Sequence, residues 1–196
     1  MTINYHPNSV LKPALRHIPD LIPVLTADAL FSSLQKRIIW EQHTVRLFGK
    51  ELDCPRLSAW YGDPDATYGY SGSAYAPRPW TAELVELKRE AERAAGVVFN
   101  SALLNRYRHG QDSMGWHADD EPELGAEPVI ASVSLGARRK MRFRLKSDHA
   151  YTHEVWLDHG SLLVMYGATQ RDWHHSLPKT KKVQEERINL TFRRIL

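Results

Sequence analysis

From residue 97 onward the chain alternates. Apolar and polar side chains exchange places at every second position in a series of short runs, and residues two apart on an extended chain share one face of a sheet. The spacing predicts strands over 97–108, 129–135, 140–145, 153–157, 161–166 and 187–195, separated by turn-forming residues. The clearest run is Arg187 to Arg193, where Ile188, Leu190 and Phe192 take one face and Arg187, Asn189, Thr191 and Arg193 the other. Before residue 97 the period lengthens. Leu30, Phe31, Leu34, Ile38 and Ile39 mark one side of a helix from a cap at Thr26 to Gln42. Leu84, Leu87, Ala91 and Ala94 mark a second, from a cap at Thr81 to Ala95, closed by Gly96. Leu21 to Leu25 reads as a short early strand. Residues 53–79, rich in Pro, Gly, Tyr and Ser, carry neither period and read as hairpins and loops over a site.

Helices followed by a run of strands predict a mostly β, α+β domain with N-terminal helices and a jelly-roll core. The expected division is a flexible arm over 1–15 and a single domain over 16–196, with helices and substrate-binding hairpins in 16–96 and the core in 97–196. A length of 196 residues suits one domain. The lone Cys54 excludes an internal disulfide and fits a reducing compartment. No apolar run approaches the roughly 18 residues that span a bilayer, and the first fifteen residues lack a signal peptide's apolar core. The expectation is a soluble, cytoplasmic monomer without a membrane partner, associated with the nucleoid if bacterial and nuclear if eukaryotic.

Candidate chemistry enters with WHADDE (116–121). His117 and Asp119 lie two apart, so on a strand both project to one side while Ala118 points away. A second imidazole from another strand would complete a facial triad, which leaves three positions open on a ferrous ion, as in non-haem iron oxygenases. In WHHSLP (173–178) both His174 and His175 are candidates, since alternation admits only one of an adjacent pair. The polar face of 187–193 gives that metal a companion. Two inward arginines are costly to bury unless each meets an anion, and guanidinium matches carboxylate bidentately. Arg187 and Arg193 would hold the two ends of a small dicarboxylate keto acid, with Asn189 and Thr191 between them; which arginine takes which end stays open. Asn105 and Tyr107 repeat the two-residue spacing and offer an amide and a phenol to the same carboxylates.

Charge adds a surface. Lys and Arg number 26 against 23 Asp and Glu, a net +3. In RRKMRFRLK (138–146) Lys140, Arg142, Arg144 and Lys146 alternate with Met141, Phe143 and Leu145, so a strand would bury one face and, with Arg138, present a basic stripe suited to phosphates. Two alternatives stay open: a zinc hydrolase on the same ligands, which gives the paired arginines no role, and a non-catalytic nucleic-acid binder, which gives the triad none.

NRY (105–107), WHADDE (116–121), ASVSLG (131–136), HGSLLVMYG (159–167), WHHSLP (173–178) and RINLTFR (187–193) follow one another as in AlkB-type Fe(II)/2-oxoglutarate dioxygenases, which the chain resembles over residues 45–195. LFGK (47–50), PR (55–56), YGD (61–63) and YSG (70–72) make it most similar to the branch that repairs alkylated bases in duplex DNA. The resemblance implies a double-stranded β-helix core, with Fe(II), 2-oxoglutarate as cosubstrate and O2. It implies iron ligands His117, Asp119 and His175, thereby choosing against His174, and 2-oxoglutarate contacts from Asn105, Tyr107, Arg187, Thr191 and Arg193. It implies oxidative demethylation of 1-methyladenine and 3-methylcytosine in duplex and single-stranded DNA, with release of formaldehyde; RNA or protein is the alternative substrate. On the substrate side it implies that Asp120 touches the base, that Tyr70, with Tyr68 beside it, stacks on a flipped base against His117, and that Phe48 wedges into the base stack. Arg138, Lys140 and Arg142 complete the expected substrate contacts.

Overall fold

A computed structural model of the protein describes residues 11–47, 49–66, 68–70 and 73–196. In chain order the elements are β1 (Leu15–Ile18), α1 (Val24–Arg37), β2 (Glu41–Leu47), β3 (Lys50–Gly62), β4 (Tyr68–Tyr70), β5 (Ser73–Tyr75) and α2 (Ala82–Ala95). There follow β6 (Ser101–Tyr107), β7 (Met114–His117), β8 (Ile130–Gly136), β9 (Arg139–Leu145), β10 (Thr152–Leu157) and β11 (Ser161–Met165). The chain closes with α3 (Thr169–Asp172), β12 (Trp173–Leu177) and β13 (Arg187–Arg193). Antiparallel pairing builds a seven-stranded sheet in the order β1-β11-β8-β13-β6-β3-β2, a four-stranded sheet in the order β10-β9-β12-β7, and a separate β4-β5 hairpin.

Alternation explains why the large sheet has two unlike faces. Ala102 and Leu104 of β6, Ala131, Val133 and Leu135 of β8, Leu162 and Val164 of β11, and Ile188, Leu190 and Phe192 of β13 all join one buried cluster with Leu30 and Leu34 of α1 and Leu84, Leu87 and Ala91 of α2. The opposite face meets the small sheet in a second cluster, where Tyr107, Ile130, Leu163 and Met165 pack with Met141, Phe143, Leu157, Trp173 and Leu177. β13 lies between β6 and β8, so Arg187, Asn189 and Thr191 are buried and Arg193 partly so, with no edge to escape to. This is the mostly β jelly-roll arrangement expected.

The second helix matches its expected bounds: the Thr81 side chain accepts from the Leu84 N–H, and Gly96 closes the helix at φ 75°. The first differs at both ends. It starts at Val24 after Pro23, whose fixed φ of −56° sets the entry, so Thr26 is inside the first turn and no side chain caps it. It stops at Arg37. Ile38 is extended (ψ 134°) yet still buried, so the apolar period ran on past the helix because the same core accepts a side chain from an extended residue. Leu21 to Leu25 is accordingly a bend and a helix start, and the early strand is β1, which pairs with β11 from Leu15. Leu15 thus falls in the sheet rather than in the arm, of which residues 1–10 lie outside the described set. The long strand β3 was hidden within the stretch read as hairpins and loops. Pro55 sits in it where the β2 register shifts and before pairing with β6 begins at Leu57, so its missing N–H costs no ladder bond.

Gly136, at the end of β8 opposite Arg187, has φ 86°, and a Cβ there would meet the Glu186 carbonyl oxygen at 2.5 Å and the Phe31 ring at 2.7 Å. Gly136→Ala is expected to destabilise the fold by more than about 1 kcal/mol, lowering the melting temperature by roughly 2–4 °C or more. A thermal unfolding curve superimposable on that of the parent would contradict this reading of the turn.

Candidate active site

Strands β6, β7, β12 and β13 and one loop converge in the space between the two sheets. His175 on β12 pairs in register with His117 on β7, their ring centroids 4.2 Å apart. Asp119 follows two residues on, but β7 ends at His117, so the carboxylate comes from the loop after the strand and not from a shared strand face. Candidate ligand atoms of His117, Asp119 and His175 nevertheless all lie within 4.8 Å of one another. His174 points to the other side: it pairs in register with Arg144 on the outer face of the small sheet, while His175 aligns with buried Phe143.

The electrostatics suit a cation. Burial pushes the Asp119 carboxyl up, but the Arg193 guanidinium, whose Nη2 donates to Oδ1 at 2.8 Å, and the two imidazoles outweigh it and hold the group at about 2. Burial, with His117 adding to it, pushes His175 down to about 3, so its ring is a free base with a lone pair to give. His117 engages the Gly115 carbonyl through Nδ1 at 2.9 Å, which leaves Nε2 as its ligand atom.

The polar face of β13 runs on from this point. Asn105, Tyr107, Arg187, Asn189, Thr191 and Arg193 all line the same cavity as the triad. Arg187 is 1% exposed; its Nη2 donates to Ser134 Oγ at 2.9 Å, its Cζ lies 5.3 Å from the Tyr107 ring centre, and no carboxylate among the described residues pairs with it. Burial pushes this guanidinium down to about 10. Asn189 is different. Its Nδ2 donates to Ser132 Oγ and the Val133 carbonyl, and its Oδ1 accepts from Thr191, so its side chain is spent on holding β8 to β13. Asn105 accepts from Arg56 Nε at 3.0 Å, which turns its NH2 donors elsewhere.

The expected substrate contacts belong to several elements. Asp120 is an exposed residue whose Oδ2 accepts from Lys146 at 2.7 Å. The stripe on β9 does face outward, but carboxylates ladder it: Lys140 and Arg142 share Glu154, and Arg138 pairs with Asp158. Arg138 and Lys140 also lie over the Trp156 ring, at 4.5 and 4.8 Å. Tyr68 and Tyr70 are at the two ends of β4 in the separate hairpin. Phe48 lies outside the described residues, between the end of β2 and the start of β3. Ser132, Ser134, Arg56 and Gln170, which accepts the Asp119 N–H, were not among the expected residues. The serines were within reach, since they alternate with Ala131, Val133 and Leu135.

A pH dependence follows for the metal-free protein. An unfolded histidine takes up a proton near 6.5, whereas folded His175 resists it to about 3. Between those limits the unfolded chain binds the extra proton, so stability falls as pH falls, with a slope approaching about 1.4 kcal/mol per pH unit. Asp119 adds to the loss only lower, between 3.8 and about 2. In urea unfolding from pH 6.5 to 4, His175→Gln is expected to flatten the slope relative to the parent; equal slopes would count against a buried neutral imidazole.

Comparison with known proteins agrees with this geometry. Residues 14–193 match the 2OG-Fe(II) oxygenase superfamily. The chain is 41% identical over 202 residues to human "Alpha-ketoglutarate-dependent dioxygenase alkB homolog 3", covering 98% of this chain and 69% of that protein. The bovine counterpart is 43% identical over 186 residues, covering 90% and 64%. Human "DNA oxidative demethylase ALKBH2" is 41% identical over 180 residues, covering 87% and 69%. The chain thus spans about two thirds of the length of these relatives. The solved structure of OsALKBH1 shares the fold, with a TM-score of 0.65 at 18% identity over 94% of this chain and 99% of that one. The chain belongs to the 2OG-Fe(II) oxygenase superfamily, in its AlkB-type branch, whose chemistry uses Fe(II), 2-oxoglutarate and O2.

Proposed function

We propose that this chain is an oxidative demethylase of N-alkylated bases in DNA, acting by direct reversal on lesions such as 1-methyladenine and 3-methylcytosine. The observation that carries the cosubstrate assignment is Arg187, a buried guanidinium with no carboxylate partner among the described residues, on the same strand face as an arginine that already grips a metal-ligating carboxylate. A buried unpaired cation costs several kcal/mol unless an anion arrives. The substrate reading draws on the relatives named for alkB and for DNA oxidative demethylation.

His117, Asp119 and His175 would hold Fe(II): a carboxylate and two imidazoles are the donor set such an ion takes. When bound, iron would supply the chemistry by which O2 oxidises 2-oxoglutarate to succinate and CO2, one oxygen atom entering succinate and the other the N-linked methyl, which would then be lost as formaldehyde. The chain's own residues do the placing. Arg193, already on Asp119, marks the metal end of the pocket, and Arg187 then takes the far carboxylate, with Tyr107 and the NH2 of Asn105 as further donors. Asn189 supports this wall through Ser132 while Thr191 lines it. Asp120, next to the metal loop, faces the base, and Tyr70, with Tyr68, supplies a stacking ring. Arg138, Lys140 and Arg142 meet phosphates, with a shallow salt dependence because Glu154 and Asp158 already offset part of their charge. Phe48, between the ends of two paired strands, wedges open a duplex. The protein works as a monomer where the DNA is, in nucleoid or nucleus; none of the described helices is long and apolar enough to cross a membrane.

The deciding experiment incubates the iron-loaded protein with duplex and single-stranded oligonucleotides carrying either lesion, and scores formaldehyde and succinate. Both products are expected on both substrates, with Phe48→Ala losing chiefly the duplex reaction. Succinate that does not rise when methylated DNA is added would reject the substrate. Arg187→Gln is expected to raise KM for 2-oxoglutarate by roughly 10- to 100-fold, the worth of a lost charge-assisted pair; an unchanged KM would place the far carboxylate elsewhere.

A further inference from the structure

Asp119 lies beyond the last residue of β7, so no ladder bond fixes its backbone. A side chain does so instead. The amide oxygen of Gln170, itself 1% exposed, accepts the Asp119 N–H at 3.0 Å. Gln170 belongs to α3, which runs directly into β12, the strand that carries His175. It therefore ties the loop holding one candidate ligand to the element that presents another.

The amide can sit in only one sense. Reversed, it would aim NH2 hydrogens at the Asp119 N–H. As placed, its Nε2 points at Met165 Sδ, 3.4 Å away, a weak acceptor in the wall of the same cavity. Burying an amide with so poor a partner for its NH2 is costly, and an apolar side chain of the same size would fill the space without that cost. What the amide adds is the bond to the Asp119 backbone. The backbone carbonyl of Gln170 accepts from Lys146 Nζ at 2.8 Å, and the same ammonium holds Asp120 at 2.7 Å, so the segment is anchored from outside as well.

We infer that Gln170 is the positioning residue for the metal ligand Asp119. Its amide fixes the ligand's backbone as Arg193 fixes its carboxylate, and it thereby governs metal affinity without touching metal, cosubstrate or base. The inference rests on the proposed assignment of His117, Asp119 and His175 as the metal site. Outer partners of this kind change metal affinity by roughly 10- to 100-fold when removed.

The test is a titration of the full-length, metal-free chain with Mn(II), followed by the electron paramagnetic resonance signal of the free ion. The parent is expected to bind Mn(II) and His117→Ala to lose it. Gln170→Met, close in volume but without the acceptor, is expected to weaken binding at least ~10-fold. Gln170→Glu, which restores an oxygen at the same place, should recover most of that affinity. With iron saturating, KM for 2-oxoglutarate should stay near the parent value in Gln170→Met, since Arg187 is untouched. Should Gln170→Met not fold, Gln170→Asn, whose shorter side chain withdraws the acceptor, is read in its place. Parent-like Mn(II) affinity in the folded Gln170 variant, beside a loss in His117→Ala, overturns the role of Gln170 alone. Parent-like affinity in His117→Ala overturns the triad as the metal site, and this inference with it.

Discussion

A buried carboxylate held ionised is the constraint around which this molecule is arranged. Asp119 is 4% exposed, and burial by itself pushes its carboxyl toward the protonated form. Arg193 prevents this, and it can do so because it ends a strand that is paired on both sides: β13 is bonded to β6 and to β8, so the guanidinium is delivered from rigid backbone. The same alternation that turns Arg193 inward turns Phe192 outward against Phe99 and Trp80, under the helices. Removing the helices' apolar contact would therefore loosen the arginine that keeps the carboxylate charged. Fold stability and metal chemistry share one strand.

Much of the architecture could be read from periodicity because, in this fold, period and burial coincide. The large-sheet strands β6, β8, β11 and β13 sort their side chains cleanly to two sides, since one face meets the helices and the other meets the small sheet or the cavity. The reading failed where burial and period part. Ile38 continues a helical pattern although it is extended, because its side chain reaches the same core from either conformation. β3 contains Pro55 and shows a half-buried pattern, with its outer stretch paired only to β2, so no strict alternation marks it.

The site was legible in its residue types more than in its geometry. His117 and Asp119 are brought together as their spacing suggested, but through the loop after β7 rather than by a common strand face. Alternation could not choose between His174 and His175; the register with buried Phe143 on one side and Arg144 on the other makes the choice. Asn189 shares a face and a cavity with the arginines as expected, but its donors going to Ser132 and the Val133 carbonyl could not be read from spacing. Gln170 gave no signal at all, since a single glutamine in a four-residue helix follows no period and its partner is a backbone N–H 51 positions away.

Two buried arginines show how one residue type takes opposite roles. Arg139 and Arg187 both lie near the Tyr107 ring, at 5.8 and 5.3 Å, and burial pushes both guanidiniums down. Arg139 closes its own account with carbonyl oxygens: those of Asp112 and Pro178 at 2.9 Å, and more distant ones of His109 and Gly110, so it clamps the loops behind the pocket. Arg187 has a serine hydroxyl and the tyrosine, and its Nε meets no partner among the described residues. Its neighbour's charge makes its own harder to keep. A site that places a second cation beside an unsatisfied one gains from a ligand bearing negative charge, and a carboxylate answers the fork of donors that Arg187 leaves open. The acceptor count around each guanidinium, rather than its burial, separates the arginine that clamps the loops from the one to which the proposed function gives the cosubstrate.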